Sequence, residues 1–252
     1  MSSIQRNLVG IFGALAFWEA IVAIGLIDAF LLPPPSAVAM AIVTLLEDGS
    51  LVIHALSSLQ RVIGGFALAV VVGGVLGFAT GWFKPFADFA KPTIEAIRPI
   101  PPLAWIPLAI VWFGVGNAPS YFLVFIGAVF PVFVGTYSAI RAIDRTQVNA
   151  ALCLGAGPWL LFRDVLVPPA LTIVFPAMRI ALGIGWMCVV TAELIAAQSG
   201  LGYLIQQSRL LFQIQNVVAG MVVIGAIGFA MNVVMERMER RLNHWNHGER
   251  NG

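Results

Sequence analysis

The stretch that decides the fold class runs from residue 62 to residue 81 and reads VIGGFALAVVVGGVLGFATG. It contains no charged residue, and its apolar residues follow one another without the alternation of a half-buried strand. A run of about 20 such residues is what an α-helix needs to cross the hydrocarbon core of a bilayer. The stretch therefore predicts a transmembrane helix.

The rest of the chain has the same character. Of its 252 residues, 60% are hydrophobic and 10% are charged, whereas soluble domains carry about 25% charged residues. We therefore predict an all-α integral membrane protein with about six transmembrane helices in a single domain covering residues 1–252. The small net charge of +2 gives no field for binding nucleic acid. The predicted spans are residues 8–27, 62–81, 98–113, 121–140, 174–196 and 217–235.

The lysines and arginines of the connections predict the orientation. Only Arg61 and Arg209 belong to connections on the side away from the termini. Because cytoplasmic connections carry the excess of Lys and Arg, both termini are predicted to be cytoplasmic. The residues on the side of the termini are Arg6, Lys84, Lys91, Arg98, Arg141, Arg145, Arg163, Arg237, Arg240, Arg241 and Arg250.

The connection between the first two spans, residues 32–61, is then predicted to lie outside. It is too polar to cross the membrane and too long for a tight turn. After Pro35-Ser36 its apolar residues have helical spacing, which predicts a short amphipathic helix at the outer interface. Those apolar residues are Val38, Ile42, Leu45 and Leu46.

The third predicted span begins with a cluster of prolines between residues 98 and 107. Each proline lacks a backbone donor and clashes with the preceding turn, so a regular helix cannot run through residues 99–102. Two interpretations stay open. Either irregular backbone lines a cavity at membrane depth, or the prolines lie at the cytoplasmic surface and start the helix. Pro101, Pro102 and Trp105 are candidate pathway residues.

Charged residues inside or beside the spans are the other pathway candidates. A charge at the centre of a membrane helix costs about 2.5–3.5 kcal/mol on insertion scales, so Glu19, Arg179 and Glu193 should face protein or water. Arg179 and Glu193 are candidate pathway or gate residues, and the alternative for Glu193 is a hydrogen bond to a neighbouring span. Glu95 and Arg98 have the spacing of a pair within one helix. No cluster of inward basic residues is evident in the spans.

Small residues recur at every fourth position of the second span. On a helix they form one flat stripe that another backbone can approach closely. The stripe predicts a packing seam, with a glycine-lined conduction pathway as the alternative. Its members are Gly65, Ala69, Gly73, Gly77 and Gly81.

The longest cytoplasmic connection, residues 141–171, is predicted to contain two short helices. The first is capped by Asp144 or Thr146 and ends at Gly155, and Pro168-Pro169 stops the second. An exposed face of apolar and small residues predicts either a docking surface or a helix lying flat on the bilayer.

This connection resembles the signature loop of bacterial ATP-binding-cassette importer permeases, and we call it the coupling loop. The signature is Glu-Ala-Ala, three residues, Gly, nine residues, Ile, any residue, Leu-Pro. The chain keeps this spacing, with Asn at the glutamate position and Val at the Ile and Leu positions. The matching residues, which the resemblance implies contact the ATPase, are Asn149, Ala150, Ala151, Gly155, Val165, Val167 and Pro168.

Further motifs are similar to the nitrate/sulfonate/taurine permease family, most closely to its taurine branch, over roughly residues 15–245. They are LPPPS at residues 32–36, RPIPPLAWIP at 98–107, RIALG at 179–183, AELIAA at 192–197 and GLG at 200–202.

The resemblance implies the type I importer-permease fold and one half of an ATP-driven importer in the bacterial inner membrane. Its implied partners are a second copy of this chain, two cytoplasmic ATP-binding subunits that hold Mg-ATP, and a periplasmic or lipid-anchored binding protein. The implied cargo is taurine or another sulfonate, moved by alternating access. Nitrate, bicarbonate or a vitamin precursor are the alternatives.

The chain itself is predicted to be neither an enzyme nor a cofactor-binding protein. A Walker A loop needs Gly-Lys-Ser/Thr, and Lys84 and Lys91 are both followed by proline. The three histidines lack the spacing of a metal site. Energy must come from a partner protein or from an ion gradient, so an ion-coupled secondary transporter is the alternative class.

Overall fold

The structure is a computed structural model that describes residues 3–242 and the side chains of residues 9–10 and 12–241. His244, His247, Arg250 and the side chain of Arg6 lie outside this described part. Within it the chain is helical, with a 3-10 turn at Pro102–Trp105 and a π-helical turn at Leu161–Leu166. The α-helices are α1 (Ser3–Ala23), α2 (Pro35–Glu47), α3 (Ser50–Trp82), α4 (Lys84–Ile97), α5 (Ile106–Phe113), α6 (Asn117–Ala142), α7 (Arg145–Cys153), α8 (Pro158–Leu160), α9 (Val167–Ala196), α10 (Leu201–Leu210) and α11 (Ile214–Leu242).

The predicted all-α membrane fold is confirmed. By length and composition, α3, α6, α11 and the continuous run from α8 to α9 can each cross a bilayer. The bent pair formed by α4 and residues 102–113 has the apolar length of either a broken fifth span or a re-entrant loop. Helix α1 lies in the first predicted span but ends at Ala23, because Gly25, with φ of +76°, closes a left-handed turn behind it.

The core of the bundle consists of α3, α6 and α9, with α6 between the other two. Helix α6 is the most buried of the four long apolar helices, and α11 is the least buried. The small-residue stripe of α3 faces α6. A Cβ added at Gly73 would lie 2.7 Å from the carbonyl oxygen of Val129, and one at Gly77 would lie 2.6 Å from that of Phe133. The two backbones are therefore in direct contact along the stripe.

The third predicted span is not one straight helix. Helix α4 ends at Ile97, and the chain bends by 85° between α4 and residues 102–113. The cause is local, because prolines at 99, 101 and 102 remove successive backbone donors. Residues 98–113 thus form only the second arm of a bent pair of helices.

The predicted connection 32–61 is shorter in the structure. It ends at Gly49, and residues 50–61 form the first turns of α3, a helix of 33 residues. His54, Ser58 and Arg61 give this stretch the polarity of a loop, but each has a hydrogen-bond partner inside the protein. The short helix predicted after Pro35-Ser36 is present as α2, and the Glu19 carboxylate accepts the backbone N–H of Ser36 in the first turn of α2.

In the coupling loop, Pro168 and Pro169 do not stop the second helix. The helical run continues from Pro158 to Ala196. Neither proline has an N–H that could donate to the carbonyl four residues earlier. Those carbonyls belong to residues 164 and 165, which lie in the wider π-helical turn at Leu161–Leu166. Both prolines then fall in the first turn of α9, where proline is tolerated.

Candidate functional site

The coupling loop folds around two local signals. The Asp144 carboxylate accepts the backbone N–H of Thr146 at 2.8 Å and caps α7, and this hydrogen bond lowers the pKa of Asp144. At the other end, Gly155 has φ of +84°. The N–H of Ala156 reaches the carbonyl of Ala151, and that of Gly155 reaches Leu152, which is the Schellman arrangement.

The outward face of the coupling loop is apolar. The side chains of Leu154 and Trp159 are 89% and 71% exposed, and Leu152 and Leu160 are about half exposed. Contiguous exposed apolar surface of this kind marks an interaction site. Of the residues that match the signature, Asn149, Ala150, Gly155 and Pro168 are exposed, and Ala151, Val165 and Val167 are half-buried.

The inward face fixes the loop to the bundle. Val148, Leu161 and Leu166 form a buried cluster against Phe78 and Trp82 at the end of α3. The Arg145 guanidinium also lies over the Trp82 ring, 5.6 Å from its centre. The loop is therefore packed directly against the end of α3.

A cleft of about 530 Å³ opens between α6 and α9, and we call it the central cleft. Ile100 and Pro102 line it, so the proline segment borders a cavity, while residues 98–101 are exposed. Pro101 is exposed outside the cleft lining, and Trp105 packs edge-on against Phe122. The remaining lining is apolar apart from Arg98 and Ser138; it comprises Ile126, Gly127, Phe130, Pro131, Val134, Gly135, Ile173, Ala177, Ile180 and Ile184.

Arg98 is placed differently from the sequence prediction. Glu95 forms its ion pair with Lys91, at 3.7 Å, rather than with Arg98. Arg98 is the C-cap of α4, where its N–H donates to the carbonyl of Ile94, and its side chain lines the central cleft. A basic residue thus faces the cleft, which the sequence pattern did not indicate.

At the opposite end of the bundle, Glu193 lies in a buried polar network. Its Oε1 accepts a hydrogen bond from Arg61 at 2.6 Å, and its Oε2 accepts one from Ser58 at 2.8 Å. Arg61 also donates to Asn117 Oδ1 and to the carbonyl of Ser199. Glu193 and Arg61 are 1% and 2% exposed. We call these five residues the Arg61–Glu193 network; it joins α3, α6, α9 and the turn before α10.

Two glycines let the turn before α10 approach Glu193. Gly200 has φ of +111°, and a Cβ there would lie 2.2 Å from the carboxylate carbon of Glu193. The N–H of Gly202 donates to Glu193 Oε2 at 3.0 Å. Larger residues at either position would push the turn away from the network.

Arg179 lies away from the central cleft, between α9 and α11. Its Nε donates to Asn232 Oδ1 at 2.5 Å, and its Nη2 is 3.4 Å from a carboxylate oxygen of Glu236. Across residues 3–242, no three His, Cys, Asp or Glu side chains come together as a metal site.

Sequence reasoning missed Arg61 and Ser58 because their partners are far away in the chain. A signal was present: His54, Ser58 and Arg61 are spaced by four and then three residues, so they share one face of a helix. A polar face on a helix next to a span predicts buried partners.

Comparison with known proteins agrees with these features. The family profile described as "Binding-protein-dependent transport system inner membrane component" matches residues 65–246. The chain is 38% identical to a "Probable ABC transporter permease protein" of Brucella melitensis, over 97% of this chain and 98% of the relative. It is 33% identical to the taurine transport system permease protein TauC of Escherichia coli, over 93% of this chain and 87% of that relative.

A more distant relative and a solved structure complete the picture. The bicarbonate transport system permease protein CmpB of Synechocystis is 30% identical over 89% of this chain and 84% of the relative. The inward-facing MetNI methionine ABC transporter is 20% identical, with a TM-score of 0.62 over 74% of this chain and 93% of that one. At this identity the likeness supports the fold.

Proposed function

This chain belongs to the family of binding-protein-dependent transport system inner membrane components, and on that premise we propose that it is the permease subunit of an ATP-driven importer of small anions. Taurine or another sulfonate is the proposed cargo, because the taurine permease of Escherichia coli is similar over nearly the whole chain. Nitrate, bicarbonate or a vitamin precursor are the alternatives. The proposed location is the bacterial inner membrane, with both termini cytoplasmic.

In this proposal the coupling loop binds a cytoplasmic ATP-binding subunit, which holds Mg-ATP and hydrolyses it. The supporting observation is the two-sided construction of the loop. Leu154 and Trp159 are exposed on its outward face, whereas Val148 and Leu166 are buried against the ends of the long helices. Such a loop can bind a partner and move the bundle as one rigid body.

Two copies of the chain, each with its own ATP-binding subunit, then form the pathway. A periplasmic or lipid-anchored binding protein delivers the solute at the end of the bundle opposite the coupling loop. Closure of the ATP-binding subunits tilts the helices from an inward-open to an outward-open arrangement, and hydrolysis resets them.

The natural thiol of Cys153 tests the docking surface. Cys153 is exposed on α7, whereas Cys188 is buried. A photoreactive maleimide attached to Cys153 is expected to capture the ATP-binding subunit of the proposed importer. A Cys153→Ser variant with Gln207→Cys, whose new thiol lies on α10 at the opposite end, is the matched control and should not capture it. Equal capture from both positions, or labelling of Cys153 only from outside the cell, contradicts the proposal.

Gly155 tests whether the loop transmits force. A β-branched residue at φ of +84° is strained by about 1–2 kcal/mol, which corresponds to about a five- to thirtyfold change in an equilibrium constant. The strain shifts the loop away from this turn, so Gly155→Val is expected to lower uptake per ATP hydrolysed several-fold in proteoliposomes, with the protein still in the membrane. Gly157→Val is the control, because Gly157 has φ of −71° and, like Gly155, open space around its Cα. Unchanged uptake in Gly155→Val would refute force transmission through this turn.

A further inference from the structure

The central cleft contains one charged residue in its lining, Arg98. Arg98 and Ser138 also line a smaller cavity of about 180 Å³, together with Thr80. Thr80 is two residues from the end of α3, beside the coupling loop. Arg98 therefore lies where the cleft opens toward that end of the bundle.

The charges around the smaller cavity leave Arg98 uncompensated. Lys91 and Glu95 also line it, and their side chains form an ion pair at 3.7 Å. The Lys91 ammonium also lies 6.0 Å from the centre of the Tyr137 ring. Among the described residues, Arg98 has no carboxylate within ion-pair distance. Because the charges of Lys91 and Glu95 cancel, the net charge that faces the two cavities is the single positive charge of the Arg98 guanidinium.

Arg98 is exposed, and its guanidinium faces water at the edge of an apolar cleft without a paired carboxylate, which has a specific chemical consequence. Low-dielectric walls concentrate its field in the water between them. Its planar fork of N–H donors fits oxyanions, which it can bind through two parallel hydrogen bonds. The cleft around it is lined by apolar side chains such as Ile100, Phe130 and Ile180. These features favour a small oxyanion over a neutral or cationic solute.

We propose that Arg98 is the residue that makes this pathway selective for small oxyanions, and that it receives them at the coupling-loop end of the central cleft. The assignment of the cleft as a pathway rests on the proposed function. Arg98 sets the charge preference of the cleft, whereas Lys91 contributes less because Glu95 neutralises it.

The local field can be measured without knowing the natural solute. In a Cys153→Ser background, Ser138→Cys places a thiol in both cavities, where Ser138 is exposed. The full-length chain is reconstituted in phosphatidylcholine nanodiscs, so that no anionic lipid competes. The rates of modification are then compared for two methanethiosulfonates of similar size, one with a sulfonate group and one with a trimethylammonium group.

We define the preference as the ratio of the modification rate with the sulfonate reagent to that with the trimethylammonium reagent. This ratio is expected to be larger for the thiol at position 138 than for the reference thiol Cys153 of the unmodified chain. Arg98→Gln should lower that preference about fivefold, as expected for one unit charge at intermediate distance, and Arg98→Lys should retain most of it. Lys84→Gln is the matched control, because it removes the same charge on α4 without lining either cavity. The proposal is overturned if Arg98→Gln leaves the preference unchanged, or if Lys84→Gln lowers the preference as much as Arg98→Gln does.

A transport measurement separates this proposal from the proposed function. In the complete importer, Arg98→Gln is expected to lower ATP-driven uptake of the ethanesulfonate anion several-fold, whereas Arg98→Lys retains it. If the unmodified protein takes up ethanesulfonate and Arg98→Gln leaves this uptake intact, the role of Arg98 alone is refuted. If the unmodified protein shows no ATP-driven uptake of taurine, ethanesulfonate, nitrate or bicarbonate, the proposed function is refuted instead.

Discussion

Replacing Glu193 with alanine is expected to lower the free energy of unfolding by about 3–5 kcal/mol, because it leaves the Arg61 guanidinium buried without its counter-ion. Arg61 is 2% exposed, and its other hydrogen bonds, to Asn117 and Ser199, are to neutral groups. The variant also removes the acceptor for Ser58 and for the N–H of Gly202. Unfolding by titration with sodium dodecyl sulfate in mixed micelles measures the change.

Two comparisons make this result specific to the buried pair. Glu236→Ala removes a carboxylate that is one-third exposed and pairs with Arg179 and Arg240, so it should cost at most about 1 kcal/mol. The double variant Arg61→Leu with Glu193→Leu should recover part of the lost stability, since neither charge is then left alone. If Glu193→Ala is no less stable than Glu236→Ala, the buried ion pair does not stabilise the fold.

Alanine at Gly77 and alanine at Gly74 are expected to change stability in opposite directions. A Cβ at Gly77 would lie 2.6 Å from the carbonyl oxygen of Phe133 and 2.8 Å from Cβ of Thr136, so α3 and α6 would have to move apart. Such overpacking costs about 1–3 kcal/mol. At Gly74 nothing lies within 4 Å of the added Cβ, and alanine should stabilise the helix by about 0.5–1 kcal/mol.

The same titration measures both variants, and Gly74→Ala is the control because it makes the same chemical change on the same helix. Gly73→Ala should behave like Gly77→Ala, since its Cβ would lie 2.7 Å from the carbonyl oxygen of Val129. A finding that Gly74→Ala and Gly77→Ala shift stability equally would show that helix propensity, and not the contact with α6, determines the effect.

The sequence predicts features that depend on short-range pattern. Apolar runs predict the long helices, and the fourfold spacing of small residues predicts a close helix contact. Gly155 lies where the structure has a left-handed residue, because a helix end of this type needs glycine for local steric reasons. Each of these features is decided within a few turns of one helix.

Features that depend on distant residues could not be predicted in the same way. Arg61 and Glu193 are 132 residues apart, and no local pattern pairs them. The spacing of Glu95 and Arg98 suits a pair within one helix, but Lys91, on the preceding turn of α4, forms the ion pair with Glu95 instead. The polar residues at 54–61 resemble a connection when they are considered without their buried partners.

The Arg61–Glu193 network has a consequence for motion within one subunit. It ties α3, α6 and α9 together at one end by charge-assisted hydrogen bonds, while at the other end α9 follows a π-helical turn and contains Pro176. The end that carries the network is therefore held together more tightly than the end where α9 follows the π-helical turn. Amide hydrogen exchange should be slower around residues 193–202 than around residues 161–167, as expected for a subunit that is clamped at one end.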